Sequence, residues 1–193
     1  MDPDEIEFLA ECHPVKILPK FALPRVYLIS GEVGPFEPNK LLEVPIWLAV
    51  NLKQRGKCTI VPPYWMNIEM LEQIKENEKT EKFFTAMPSE YYMVEAKLLL
   101  GCAASDIPRA EEIRTIIKDI WDIRMAKLRT SMDIFIKSTG QFARLNHLTI
   151  MEINSARPLL PHALDQLDRL SERYQQRTQS QGSTSFSNTF TMP

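Results

Sequence analysis

The stretch IKDIWDIRMAKLRTSMDIFI, Ile117 to Ile136, holds no proline or glycine, and its apolar residues recur at the three- and four-residue intervals of an α-helix. Extended back through Ile113 and Ile116, the apolar positions cover an arc of roughly 200°, about twice what a helix lying on a single core needs. Lys118, Asp119, Asp122, Arg129, Asp133 and Lys137 make the opposite, solvated face, while Arg124 falls near the centre of the apolar arc. A charge buried alone costs several kcal/mol, so Arg124 must find an acceptor. Two arrangements supply one. The helix is the centre of its own bundle and Arg124 lies along the surface or meets a carboxylate of the same chain. Otherwise, one edge of the arc faces another protein, with Arg124 as a paired anchor, a use that its planar fork suits.

Outward from this helix the chain divides by texture. The helix begins near Pro108, has Glu111 and Glu112 in its first turn, and runs to about Gly140. Before it, NIEMLEQIKENEKTEKFF predicts a helix capped by Asn67 on a thin face of Ile68, Leu71 and Ile74, with well-solvated later turns. PSEYYMVEAKLLLGCA predicts a second, capped by Ser89. After it, TIME, Thr149 to Glu152, has capping-box spacing. Pro158 and Pro161 interrupt, and a last helix is expected from Leu160 to Tyr174 on Leu160, Leu164, Leu167 and Leu170. The remainder is polar and of low complexity, which predicts a disordered tail.

The first sixty residues read differently. EIEFLAE alternates Ile6, Phe8 and Ala10 against acids, and VKIL, RVYLIS and CTIV also have strand character. GEVGPFEPN reads as a loop, and VPIWLAVNLKQRG as a helix with Pro45 in its first turn and Gly56 just past its end. PPYWM, from Pro62, is a rigid break. The expected fold is therefore α+β: a small N-terminal β-rich domain with one helix over 1–62, a larger all-α helical bundle domain over 63–175, and a disordered C-terminal tail over 176–193.

Composition narrows the function classes. With 193 residues, 44% hydrophobic, 25% charged and a formal charge of −2, the chain is ordinary globular protein without the basic excess of a dedicated nucleic-acid binder. No run approaches a membrane span, the start MDPDEIEF lacks signal-peptide character, and Cys12, Cys58 and Cys102 fit free thiols, so an intracellular chain without structural disulfides is expected. No phosphate-binding glycine loop occurs, and His13, His147 and His162 lie too far apart to suggest a metal site, so neither a cofactor nor catalysis is expected. Lys53, Arg55 and Lys57 form a basic cluster that could touch phosphate, which gives an alternative function as a single-stranded nucleic-acid-binding module. A helix C-terminus complementing its dipole explains the same residues. Trp47 and Trp65 read as packing residues at a domain seam rather than base-stacking platforms.

EFLAE (Glu7 to Glu11), GPF (Gly34 to Phe36), VPIWLAVNLKQR (Val44 to Arg55), PPYWM (Pro62 to Met66), MPSEYYMVEAKLLL (Met87 to Leu100), IPRAEEIRTIIKDIWDIRMAKLR (Ile107 to Arg129) and LTIMEIN (Leu148 to Asn154) carry a further signal. In these segments and their order the chain closely resembles GINS complex subunits of the Psf-two type, from eukaryotic DNA replication. The segment after Asn154 departs from that pattern. The resemblance implies a β-rich domain followed by a helical one, in an obligate heterotetramer with three sister GINS subunits. It implies a non-catalytic, nuclear cofactor that joins the MCM helicase ring and Cdc-forty-five in initiation and elongation, with at most local DNA contact and no membrane. In such an assembly the surplus arc is expected to face a sister subunit. Helix geometry, not the family pattern, then singles out Ile117, Ile120, Trp121, Arg124, Leu128, Met132 and Phe135 as the partner interface.

Overall fold

The structure, a computed structural model, describes residues 2–29, 31–137 and 146–157. It opens with a helix, α1 (Pro3–Glu11), followed by strand β1 (Pro14–Pro19). β2 (Val26–Leu28), β3 (Gly31–Val33) and β4 (Leu42–Pro45) lead into α2 (Ile46–Gln54) and β5 (Cys58–Val61). The rest is helical: α3 (Ile68–Thr80), α4 (Tyr92–Cys102), α5 (Ala110–Lys137) and α6 (Ile150–Ala156).

β1 is the middle of a three-stranded antiparallel sheet in the order β4-β1-β5, with Val15 opposite Val44 and Ile17 opposite Ile60. Val15 and Ile17 turn into the core while Lys16 faces out, the period-two pattern of a half-buried strand. β2 and β3 pair as a separate antiparallel ribbon. Pro45 ends β4 and stands as the N-cap of α2, one position before the first turn, and Gly56 closes that helix at φ 67°. The expected N-terminal sheet and helical bundle are both present.

Three local readings are corrected. EIEFLAE is helical, because Pro3 occupies the first turn and Glu5 accepts a hydrogen bond from the Asp2 N–H at 2.8 Å, closing half of a capping box. Ile6 and Ala10, four residues apart, are buried, and Phe8, which made the sequence look alternating, is 67% exposed. The segment GEVGPFEPN is not wholly loop, since Gly31–Val33 pairs with β2. Ser89 does not cap α4, which starts at Tyr92. Its hydroxyl accepts from the Tyr91 N–H and donates to the Glu95 carboxylate. The end of α5 near Gly140, the helix expected over Leu160 to Tyr174 and the tail lie outside the described residues.

The change of texture at Pro62 separates sheet from helices but not two cores. Val15, Ile17, Val44 and Ile60 of the sheet belong to the same buried cluster as Leu71 of α3, Leu99 of α4 and Ile113 and Ile120 of α5. α1 reaches across as well, packing Ile6 and Ala10 against Val94 of α4, with Ile150 and Met151 of α6 alongside.

Candidate functional site

α5 crosses the bundle with Ile113, Ile116, Ile117 and Ile120 in the common core and Leu128 and Met132 in a smaller cluster with Phe84 and Ala156. Arg124 lies between these two apolar segments with no exposed surface. A guanidinium carries five N–H donors, and every one is used. Nε and Nη2 hold the Glu152 carboxylate in a two-point fork at 2.6 and 2.9 Å. Nη1 donates to Glu78 Oε2 and to the Thr85 carbonyl, each at 2.9 Å. The second Nη2 proton goes to the His147 carbonyl at 2.7 Å, from a residue in the left-handed region at φ 65°. The Phe84 ring lies beside the guanidinium, 5.4 Å from centroid to carbon.

The carboxylates are satisfied in turn. Glu152 also accepts from the Tyr92 hydroxyl and the Thr149 N–H, the latter being the capping-box contact that starts α6. Glu78 accepts from the Thr85 N–H and hydroxyl and, through Oε1, from Lys127 Nζ at 2.7 Å. Two cations and two anions therefore cancel inside the bundle. Burial alone would push the Glu78 carboxyl up, but the hydrogen bonds of Lys127 and Thr85 and the charge of Arg124 outweigh it and hold the carboxyl below its ordinary range. Burial likewise works against the Arg124 cation, and Glu152 and then Glu78 more than compensate. Burial, then the Glu152 charge, raises the Tyr92 phenol far out of the titrating range, so it stays a neutral donor.

This arrangement is a clamp. It joins α3 through Glu78, the loop after α3 through Thr85, α5 through Arg124 and Lys127, and α6 through Glu152. Chemically it offers no open position to a substrate, since both charged partners of Arg124 are fully buried. The acceptor of Arg124 is thus a pair of carboxylates of its own chain. Among the residues expected at a partner interface, Ile117, Ile120, Arg124, Leu128 and Met132 are buried within this chain. Trp121 is half-buried, and the Phe135 side chain lies outside the described residues. What remains of the surplus arc is an edge of half-buried Ile123 and Met125 and exposed Ile134.

Sequence reasoning missed Glu78, which sits in the turns of α3 expected to be solvated yet is fully buried. It also read Glu152 only as a cap. Glu78 and Glu152 stand 46 and 28 residues from Arg124 in the chain, so no linear spacing links them.

The basic cluster is split by the fold. Lys53 is withdrawn to Asp106, 2.6 Å away, which also accepts from the Ile60 N–H on the edge of β5 and so ties α2 and the sheet to the turn before α5. Burial works against the Asp106 carboxylate, but Lys53 and Ile60 hold its pKa below the ordinary value. Arg55 and Lys57 remain exposed. Trp65 is a core residue, whereas Trp47 is 37% exposed. All three cysteines are free thiols, and burial raises the pKa of Cys58 and Cys102, making both poor nucleophiles. Among the described residues no group of three or more His, Cys, Asp or Glu side chains could hold a metal ion, and no helix is long and apolar enough to cross a membrane.

Two family models match in succession: the PSF2 N-terminal domain over residues 2–61 and the GINS complex protein helical bundle domain over residues 65–171. The chain is similar to the DNA replication complex GINS protein PSF2 of Xenopus laevis, 51% identical over 181 residues, covering 94% of this chain and 98% of that protein. The Homo sapiens protein of the same name is 50% identical over 183 residues, covering 94% and 99%. The Schizosaccharomyces pombe protein is 34% identical over 168 residues, covering 87% and 90%.

Proposed function

The chain belongs to the PSF2 family of GINS complex subunits, and on that premise we propose that it is a non-catalytic structural subunit of a heterotetramer that serves the replicative helicase. The observation that carries this reading is the likeness to named PSF2 proteins along almost the whole of both chains, through the sheet and the helical bundle alike. The subunit assembles with its three sister GINS subunits, works in the nucleus, and through the complex joins the MCM ring and Cdc-forty-five in initiation and elongation.

The clamp supports a scaffolding role by physical argument. A subunit that bridges partners must keep its helices in register under load, and five hydrogen bonds on one buried guanidinium fix α3, α5 and α6 together. Fully satisfied buried polar groups cost much to break and specify one packing. Partner contacts then fall to surfaces the chain leaves open, such as the edge at Ile123 and Ile134 and the half-buried Trp121.

Size-exclusion chromatography with light scattering tests the assembly. Co-expression with the three sisters should give one particle with a 1:1:1:1 mass. A well-behaved monomer that ignores those subunits would sink the proposal.

A further inference from the structure

The β2–β3 ribbon and α2 line a groove of about 320 Å³. Its walls are apolar: Phe21, Leu23, Val26 and Leu28 on the ribbon side, Leu48 and Leu52 on the helix. Phe36 closes the floor, stacked on Phe21 with ring centroids 5.1 Å apart and bridged through its backbone to Leu23. Gly34 makes this corner possible, since it sits at φ 109° with the Phe36 ring 3.3 Å from where a Cβ would stand. Arg55 and Lys57 stand at the mouth.

The charge at that mouth is one-sided. Lys53 is spent on Asp106, and the neighbouring Arg25 and Lys40 pair with Glu32 and Glu37. Among the described residues, neither Arg55 nor Lys57 meets a carboxylate, and both are exposed beside the apolar walls. A groove of this size lies near the lower limit of pockets that enclose a ligand, about 300 Å³, and takes one or two side chains rather than a protein face.

We propose that this groove docks a short acidic segment of a partner protein, an apolar anchor entering between the ribbon and α2 while carboxylates beside it meet Arg55 and Lys57. The guanidinium fork of Arg55 matches a carboxylate in two-point geometry, and the aliphatic walls reward a leucine, isoleucine or phenylalanine anchor. A nucleic-acid strand is the poorer occupant. Its affinity comes from a line of cations along the backbone and from exposed rings that stack on bases. Here two cations line the groove, with Lys20 beside them bonded through its backbone to Lys57, and the Phe21 and Phe36 rings stack on each other. The proposal goes beyond subunit assembly, because the occupant is a peptide segment and not a sister subunit's folded surface.

The test is selection of a phage-displayed library of random dodecapeptides on the purified complex, or on the chain as expressed if no four-chain particle forms. Light scattering on the same preparation reads assembly separately. The expected result is enrichment of peptides with a large apolar residue within a few positions of two or more acids. The best peptide, labelled with fluorescein, should bind Arg55→Glu/Lys57→Glu about tenfold or more weakly, and Leu23→Ala measurably weakly. The proposal is overturned by an absence of enrichment, which means the groove is closed in the particle, or by equal binding of the selected peptide to the charge-reversed complex. Salt-sensitive binding of a twenty-residue thymidine oligonucleotide that disappears in Arg55→Glu/Lys57→Glu, without peptide selection, would assign the two cations to phosphate instead.

Discussion

Arg124 is the residue on which the helical bundle turns, and its environment sets what happens when it is removed. Truncation to alanine leaves Glu78 and Glu152 in a dry interior without their shared cation, at a cost of about 3–5 kcal/mol. Arg129, five positions on, is exposed and takes no part in the clamp, so Arg129→Ala should change stability by no more than about 0.5 kcal/mol. Chemical denaturation of the two variants checks this, and equal tolerance would mean that Arg124 finds water. The effect belongs first to the folding of this chain, and any loss of assembly follows from it. Glu78 gives the clamp a pH signature. Its folded pKa is depressed, so its contribution is complete above the ordinary value of 4.5 and is lost as pH falls through the lower folded value. The denaturation midpoint of the native protein should therefore fall on acidification below about 4.5. Glu78→Gln should start lower at neutral pH and show a shallower fall, as read from denaturant midpoints between neutral and acid pH.

At the scale of elements, α1 shows where linear patterns carry a fold and where they fail. Long α5 was legible because twenty uninterrupted residues with one period outweigh any local ambiguity. Nine residues of α1 supply two turns and a half, too few for periodicity to decide, and Phe8 happened to complete an alternation. The capping signals Asp2, Pro3 and Glu5 were the stronger evidence, since they act on the backbone whichever way the side chains fall. The clamp was half legible: a central arginine demands an acceptor, but the choice between Glu78, Glu152 and a partner's carboxylate is made by tertiary packing alone. The same packing makes α1 a strut between the sheet and the bundle, because Ile6 and Ala10 are buried against α4 and β1 starts three residues after the helix ends. Ile6→Ala should cost about 2–5 kcal/mol through the cavity it leaves. Hydrogen exchange should then show lost protection over residues 3–11, with β1, β4 and β5 keeping theirs; uniform loss across the sheet would mean that α1 has no independent role.

For the molecule as a whole, the continuity of the core matters more than the change of texture at Pro62. One apolar cluster contains inward residues of β1, β4 and β5 together with those of α3, α4 and α5. Asp106 adds a polar tie between the same regions, holding Lys53 of α2 and the edge of β5. A fragment ending at Val61 would expose Val15, Ile17, Val44 and Ile60 on the face that now meets the helices. A unit of some sixty residues has little stability to spare, since such small domains bury only about 60% of their unfolded surface even when intact. The N-terminal fragment, residues 1–61, made alone should therefore lack dispersed amide resonances and a cooperative thermal transition, and adding residues 63–193 in trans should restore both in part. If the fragment folds alone with the sheet order β4-β1-β5 retained, the shared core is a contact between two self-sufficient domains, and the sheet would be free to move against the bundle. The continuous cluster argues the other way: the surface that the N-terminal unit shows to a partner and the bundle that anchors it should move as one body.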